Sequence, residues 1–306
     1  MALIKEWVMY LITGASGTVG RPLIDSLVEA GARVRALTRD AKTSAEWPSG
    51  VEVVEGDPSI PETVAPFMTG VTGVFLHSRA AAAAPAGLLA LAKDHGVRRV
   101  VALSATNVDE PDEHQPSRFQ GDRNKEAEQA AVDSGLDWVS VRASFFAANT
   151  RLTWAGQISA GDVVFGPFSN FAEAPLHERD LADVVARALL TDEFNGRKLE
   201  VTGERSLTHA EMVEVIGTVL GRTLRYQEIP ADVAAKNMIA RGFPEAFVGA
   251  LMNRYRRLAG QPGLVTDGVA EVLGHPPRSY ADWVSDNASA FRARRENRAP
   301  GPAAPR

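Results

Sequence analysis

A chain of 306 residues, 45% hydrophobic and 23% charged, has the balance of an ordinary globular protein and the length for one large or two modest domains with a substantial core. It contains no cysteine, which excludes disulfides, zinc–thiolate sites and thiol nucleophiles and fits a reducing compartment. The net charge of −5 argues against direct nucleic-acid binding, and no apolar run approaches the roughly 18–20 residues that span a bilayer.

The opening MALIKEWVMYLITGASG has the apolar stretch of a secretory signal but runs straight into a glycine-rich turn. It reads as a first core strand, and the protein as soluble and cytoplasmic. Apolar runs at 8–13, 33–37, 51–55, 73–77, 98–104 and 138–142 alternate with stretches of helical spacing such as 21–30 and 124–134. Several runs are almost continuously apolar, as in strands buried on both faces of a parallel sheet. The alternation predicts right-handed βαβ crossovers and a doubly wound α/β Rossmann domain over residues 1–150. Beyond 150 the pattern loosens. A short strand and turn are expected at 161–167, a helix at 180–191 and a strand at 198–202 that returns to the sheet. Thr208 and Glu211 have capping-box spacing, and 231–259, 265–273 and 279–295 read as helices. This predicts a smaller, mainly helical lobe over 151–291 that covers the open edge of the sheet, followed by a disordered Arg/Ala/Pro tail at 292–306.

The turn between the first strand and first helix is TGASGTVG. Gly14 permits a tight turn, Gly17 lets a pyrophosphate approach the backbone, and Gly20 lets the helix pack on the strand. Ser16, Thr18 and Val19 complete the candidate phosphate seat, where free N–H groups meet the helix N-terminus. At the end of the second strand, where an NAD site places a carboxylate, stand Thr38 and Arg39. A guanidinium grips a phosphate with two hydrogen bonds, so Arg39 is a candidate clamp for the 2′-phosphate and NADP(H) is preferred. Asp40 follows at once and, on a strand one residue longer, would read an NAD ribose, so NAD(H) is the other option. Asp57, closing VEVVEGD, either contacts the adenine edge or serves a turn.

With these pieces in hand, the chain resembles the NmrA-like branch of the atypical short-chain dehydrogenases/reductases. The resemblance rests on TGASGTVG, VRALTRD, VVEGD, RVVALSA, RNKEAEQAAVDSGLDWVSVRASFFAAN, APLHERDLADVVARALL and LEVTGERSLTHAEMVEVIGTVLGR, in that order, from about residue 8 to 228. It implies a Rossmann domain with a small C-terminal lobe and a site in the cleft between them. Members include quinone and other small-molecule reductases and dinucleotide-sensing regulators. Ordinary short-chain dehydrogenases carry Tyr-x-x-x-Lys after the fifth strand, the tyrosine as general acid and the lysine lowering its pKa and holding the ribose. Lys125 matches the lysine, but Gly121 stands in place of the tyrosine. Ser104 matches the position near the catalytic serine, where its hydroxyl would hold a substrate oxygen. His77, Ser78 and Arg79 end the fourth strand, where members touch the cofactor, with capping or burial as the other role for His77. RASFFAANT matches R-P-x-x-F-x-x-N with Ala143 for proline, which brings Ser144, Phe145 and Phe146 towards the nicotinamide, unless Phe146 is plain core.

The histidines show no paired-ligand spacing, so no metal is expected, and no G-x-S-x-G elbow is present. Arg254, Arg256 and Arg257 read as a solvated basic helix face. The leading expectation is an NADPH-dependent reductase of a small organic substrate, a quinone or carbonyl compound. The alternative is a weakly catalytic sensor of dinucleotide redox state acting through a protein partner; an isomerase or dehydratase that retains its cofactor is a third. No membrane or nucleic-acid partner is expected, and the helical second half would serve either as a homo-oligomer interface or as a lid.

Overall fold

The computed structural model describes residues 8–41 and 47–292; the expected tail at 293–306 lies outside them. Seven parallel strands form the central sheet. They are β1 (Met9–Ile12), β2 (Arg33–Thr38), β3 (Glu52–Glu55), β4 (Val71–Leu76), β5 (Arg99–Ala105), β6 (Asp137–Ala143) and β9 (Arg197–Val201), in the order β3-β2-β1-β4-β5-β6-β9. The doubly wound α/β class follows directly from this order, with its reversal between β1 and β4. Central strands carry buried residues on both faces, as their continuous apolar runs require.

Helices cover each face. On one, α1 (Gly20–Glu29) packs against α6 (Glu178–Leu190) through Leu23, Ile24, Leu27, Leu181, Val185 and Leu189. On the other lie α3 (Pro85–Asp94) and α4 (Asn124–Asp133), with the short α2 (Ser78–Ala81) leading out of β4. The second half adds α5 (Ala148–Ala160), α7 (His209–Leu220), α8 (Ala231–Ala240), α9 (Glu245–Leu258), α10 (Gly268–Leu273) and α11 (Tyr280–Asp286). A separate core of Trp154, Ile158, Met212, Ile216, Trp283 and Phe291 holds much of it together. Thr208 caps α7 in the predicted box with Glu211.

This lobe is less purely helical than its pattern suggests. Two small sheets cross it: β8 (Ala172–Glu173) antiparallel to β10 (Leu207–Thr208), and β7 (Val163–Gly166) parallel to β11 (Arg225–Glu228). The expected helix at 231–259 is two helices, broken at 241–244, where Gly242 takes a φ of 94° and Pro244 precedes α9. The one expected at 265–273 is helical only from Gly268. The one expected from 279 ends at Asp286 and passes into a 3-10 turn over Ala288–Phe291. The helix expected from 180 starts earlier, at Glu178, because the His177 side chain caps it by accepting the Arg179 amide.

A buried ion network fastens α4 to the sheet. Arg142 on β6 donates to Glu128 Oε1 at 2.7 Å and Oε2 at 3.0 Å, and to Asp109 at 2.7 Å. Ser140 and Lys198 also reach the Glu128 carboxylate, at 2.7 and 2.9 Å. Burial raises the Glu128 pKa, but the hydrogen bonds from Arg142, Ser140 and Lys198 outweigh it and bring it down to about 2. A carboxyl with a depressed folded pKa stabilises above its ordinary value of 4.5 and loses that contribution as pH falls from 4.5 towards about 2. Glu128→Gln should therefore flatten the pH dependence of urea-unfolding free energy in that window, by on the order of 3 kcal/mol. It should also destabilise at pH 7, because Arg142 loses a buried counter-charge. An unchanged slope between pH 4.5 and 2.5 would show that Glu128 is not the titrating group.

Candidate active site

The crevice opens where the strand order reverses, between β1 and β4. Its floor is tied across by Thr13, which donates to the Phe75 carbonyl at 2.8 Å and accepts the His77 amide at 2.8 Å. Above it runs the glycine turn. Gly14 has a φ of 63°, and an added Cβ would lie 3.0 Å from the His77 ring. A Cβ on Gly20 would overlap the Gly14 carbonyl oxygen and sit 2.8 Å from Ala15 Cα. Gly17 closes the turn through its amide on Gly14 O at 3.0 Å, and a Cβ there would stand 3.1 Å from the same oxygen. Among the described residues, the amides of Ser16, Thr18 and Val19 find no protein acceptor. The turn is thus a bare backbone cradle with free donors at the positive end of α1, which fits a pyrophosphate.

At the β2 end, Arg39 is exposed. Asp40 turns back, its amide on Thr38 Oγ1 at 3.2 Å. Asp57 takes the turn role: its Oδ1 accepts the Ser59 amide at 2.9 Å and the Ser59 hydroxyl at 2.6 Å. The Ser59 hydroxyl, and less strongly Arg39, lower its pKa. Sequence reasoning missed Arg21 and Trp47 here. The Arg21 guanidinium lies 4.7 Å from the Trp47 ring centre, at the start of α1. No spacing rule links these two residues.

At the β4 end, His77 caps α2 by accepting the Arg79 amide at 3.3 Å and packs beneath Gly14, edge-on to Phe75. Burial lowers its pKa, so the ring is neutral at pH 7. Ser78 is buried, and its hydroxyl donates to Asn124 Oδ1 at 2.7 Å. Arg79 pairs with Asp122 at 2.7 Å.

The two expected catalytic positions lie in contrasting surroundings. Lys125 is exposed and borders a surface groove with Ala86, Ala90 and Lys93 of α3, while its neighbour Asn124 meets Ser78. The inner face of α4 is set by Ala127, Glu128 and Ala131, which places position 124 inward and 125 roughly 100° away. Ser104 Oγ is sealed from solvent without a hydrogen-bond partner, close enough to Glu128 to favour its charge. It lies on the α4 side of the sheet, beside the Glu128 carboxylate. Gly121 adopts a φ of 98°, which a tyrosine there would find strained. Phe146 bridges to Leu176 and packs on the main core, while Phe145 turns to the second lobe. Ser144 is bound to the Ala174 carbonyl at 3.0 Å.

The second lobe brings an aromatic cluster that sequence reasoning missed: Phe168, Phe171, His209, Tyr226 and Tyr255, with Trp154. Burial brings the His209 pKa down to about 4, so it too is neutral. Of the α9 arginines expected as a solvated face, Arg256 and Arg257 are exposed and Arg254 is not. Arg254 pairs with Glu173 at 2.9 Å over the Phe171 ring, and Arg257 pairs with Glu110 after β5; Arg256 alone is exposed without an acidic partner among the described residues.

The family model described as NAD(P)H-binding matches residues 14–192. A (4-alkanoyl-5-oxo-2,5-dihydrofuran-3-yl)methyl phosphate reductase of Streptomyces griseus is 35% identical over 92% of this chain and 99% of its own. An NAD(P)H azoreductase of Xenophilus azovorans is 30% identical over 93% of this chain and 100% of its own. In fold, the chain is similar to an NADPH-dependent quinone oxidoreductase of Escherichia coli in complex with NADPH, with a TM-score of 0.77, 22% identity and coverage of 92% of this chain and 100% of that one.

If the turn seats a pyrophosphate, Gly17→Val fills the cradle. Its NADPH affinity, read by fluorescence titration, should fall at least about tenfold with the folded state retained. Unchanged affinity would remove the turn from the site.

Proposed function

This chain belongs to the NAD(P)H-binding family of NmrA-like, atypical short-chain dehydrogenases/reductases, and from that premise we propose that it is an NADPH-dependent reductase of a small organic acceptor, a quinone or carbonyl compound. The observation that carries the reading is the bare cradle at the β1/β4 reversal, with an arginine and not a carboxylate at the end of β2. Residues 1–150 hold the dinucleotide and 151–291 form the wall that receives the acceptor. The amides of Ser16, Thr18 and Val19 donate to the pyrophosphate, and Arg39 grips the 2′-phosphate. A bound reduced nicotinamide supplies a hydride equivalent. The half-buried Phe168 and Tyr255 offer the acceptor an apolar wall that excludes water.

The α4 helix and its approach offer no phenol to supply the acceptor's proton. Neither Gly121, four residues before Lys125, nor Gln120, four before Asn124, supplies one. A quinone needs no side-chain acid: after gaining a hydride equivalent it takes one proton from water and becomes the hydroquinone. The relatives from Streptomyces and Xenophilus are reductases by name, which supports the reaction class. A phosphorylated acceptor like that of the Streptomyces relative is disfavoured, because Arg254 and Arg257 are already neutralised by Glu173 and Glu110.

One observation favours the sensor reading: the exposed Lys125 and the missing phenol leave no acid–base pair on α4. The two readings part on a titration of NADPH, NADP⁺, NADH and NAD⁺ with wild type and Arg39→Ala, followed by NADPH oxidation with quinones and carbonyls. The reductase should bind NADPH tightest, lose about tenfold for the 2′-phosphorylated forms on Arg39→Ala, and turn over at least one acceptor. Tighter binding of the oxidised forms, no preference for the 2′-phosphate and no turnover would give the site to a sensor.

A further inference from the structure

We propose that Asn124, oriented by Ser78, is the residue that hydrogen-bonds the nicotinamide ribose, a role the sequence points to Lys125 for; this rests on the NAD(P)H-binding reading above. Asn124 opens α4 three residues before Ala127 and four before Glu128, and shares their inward face. Its carbonyl oxygen is engaged by the buried Ser78 hydroxyl at 2.7 Å, at the C-terminal end of β4. That bond fixes the amide, so its two N–H donors sit on the other side. Among the described residues neither has an acceptor, and the side chain is only half-buried. A pinned primary amide with both donors uncommitted matches a pair of ribose hydroxyls.

Position selects which ribose. The crevice lies between β1 and β4, and Arg39 at the end of β2 marks the adenosine side. The β4 end, with His77 under the turn and Ser78 beside it, belongs to the other half of a dinucleotide laid across the reversal. The Arg79–Asp122 pair ties the β4 exit to the approach of α4, and the left-handed Gly121 lets the chain turn into the helix at that point. Asn124 therefore stands on a braced junction.

The test compares two ligands on the full chain by calorimetric titration: NADPH, and adenosine 2′,5′-bisphosphate, which carries only the adenosine half. Asn124→Ala should weaken NADPH about tenfold and leave the bisphosphate within about twofold. Asn124→Asp keeps the shape and the Ser78 bond but loses both donors, so it should show the same split. Ser78→Ala should move NADPH in the same direction by less, and Lys125→Ala should move neither ligand. Unchanged NADPH affinity in both Asn124 variants overturns the assignment, as does an equal loss for both ligands or a selective NADPH loss in Lys125→Ala. If wild type binds NADPH and the Asn124 variants are silent, only this inference falls; if wild type does not bind NADPH, the cofactor reading falls first.

Discussion

The approach of α1 to β1 is the constraint on which the crevice depends. Gly14 carries its carbonyl oxygen into the space a side chain at Gly20 would occupy, and with its φ of 63° a Cβ of its own would be strained and only 3.0 Å from the His77 ring. Because glycine stands at 14, 17 and 20, the first turn of α1 seats close against the end of β1, and Leu23, Ile24 and Leu27 enter the core behind it. The same turn leaves the amides of Ser16, Thr18 and Val19 without a protein acceptor among the described residues. Packing of the helix and affinity for an anion thus come from one feature, and a substitution at Gly20 would cost both. Thr13 extends the constraint sideways, since one hydroxyl bonds both the Phe75 carbonyl and the His77 amide and fixes the two lips of the crevice relative to each other.

A second, charged constraint holds the opposite wall. Arg142 and Glu128 are both buried, and taking two charges out of water costs several kcal/mol each before their pairing recovers it. A pair of apolar residues would stabilise α4 on the sheet as well or better. What the ions add is direction: Arg142 reaches Glu128 on α4 and Asp109 in the segment after β5, while Lys198 joins the Glu128 carboxylate from β9. Glu128 fixes the rotation of α4 about its axis, and one turn earlier that rotation brings Asn124 to the Ser78 hydroxyl and leaves Lys125 exposed. Ser104 is drawn to the same carboxylate and is enclosed with it.

The sheet was legible in the sequence because buried parallel strands need continuous apolar runs, and 8–13, 98–104 and 138–142 fall on β1, β5 and β6 to within a residue or two. The glycine turn was legible because its spacing is a steric demand. The facing of α4 was less legible: the motif draws attention to the lysine at 125, which is exposed, whereas the inward face is set by Ala127, Glu128 and Ala131 and could have been read from their three- and four-residue spacing. In the second lobe, β8 and β10 have two residues each, too short for any alternation to register. The break at 241–244 did carry a signal, glycine followed two residues later by proline, but the helical spacing on either side hid it. The Arg254–Glu173 pair had none, because its partners are 81 residues apart.

That pair also bears on how the lobe meets a substrate. A guanidinium in an aromatic cluster would ordinarily advertise an anion site. Here Glu173 neutralises it in place, and the surrounding titratable rings are held uncharged: His209 by a pKa brought down to about 4, and Tyr226 and Tyr255 by burial that pushes their phenols up. The α9 helix is anchored at a second point by Arg257 on Glu110, in the segment that follows β5. The lobe therefore carries an aromatic cluster whose guanidinium is paired in place, while the glycine turn keeps backbone donors without a protein acceptor at the head of α1. In the function we propose, these two features divide the ligands by chemistry: backbone donors for the phosphate-bearing one, ring faces for a planar uncharged one.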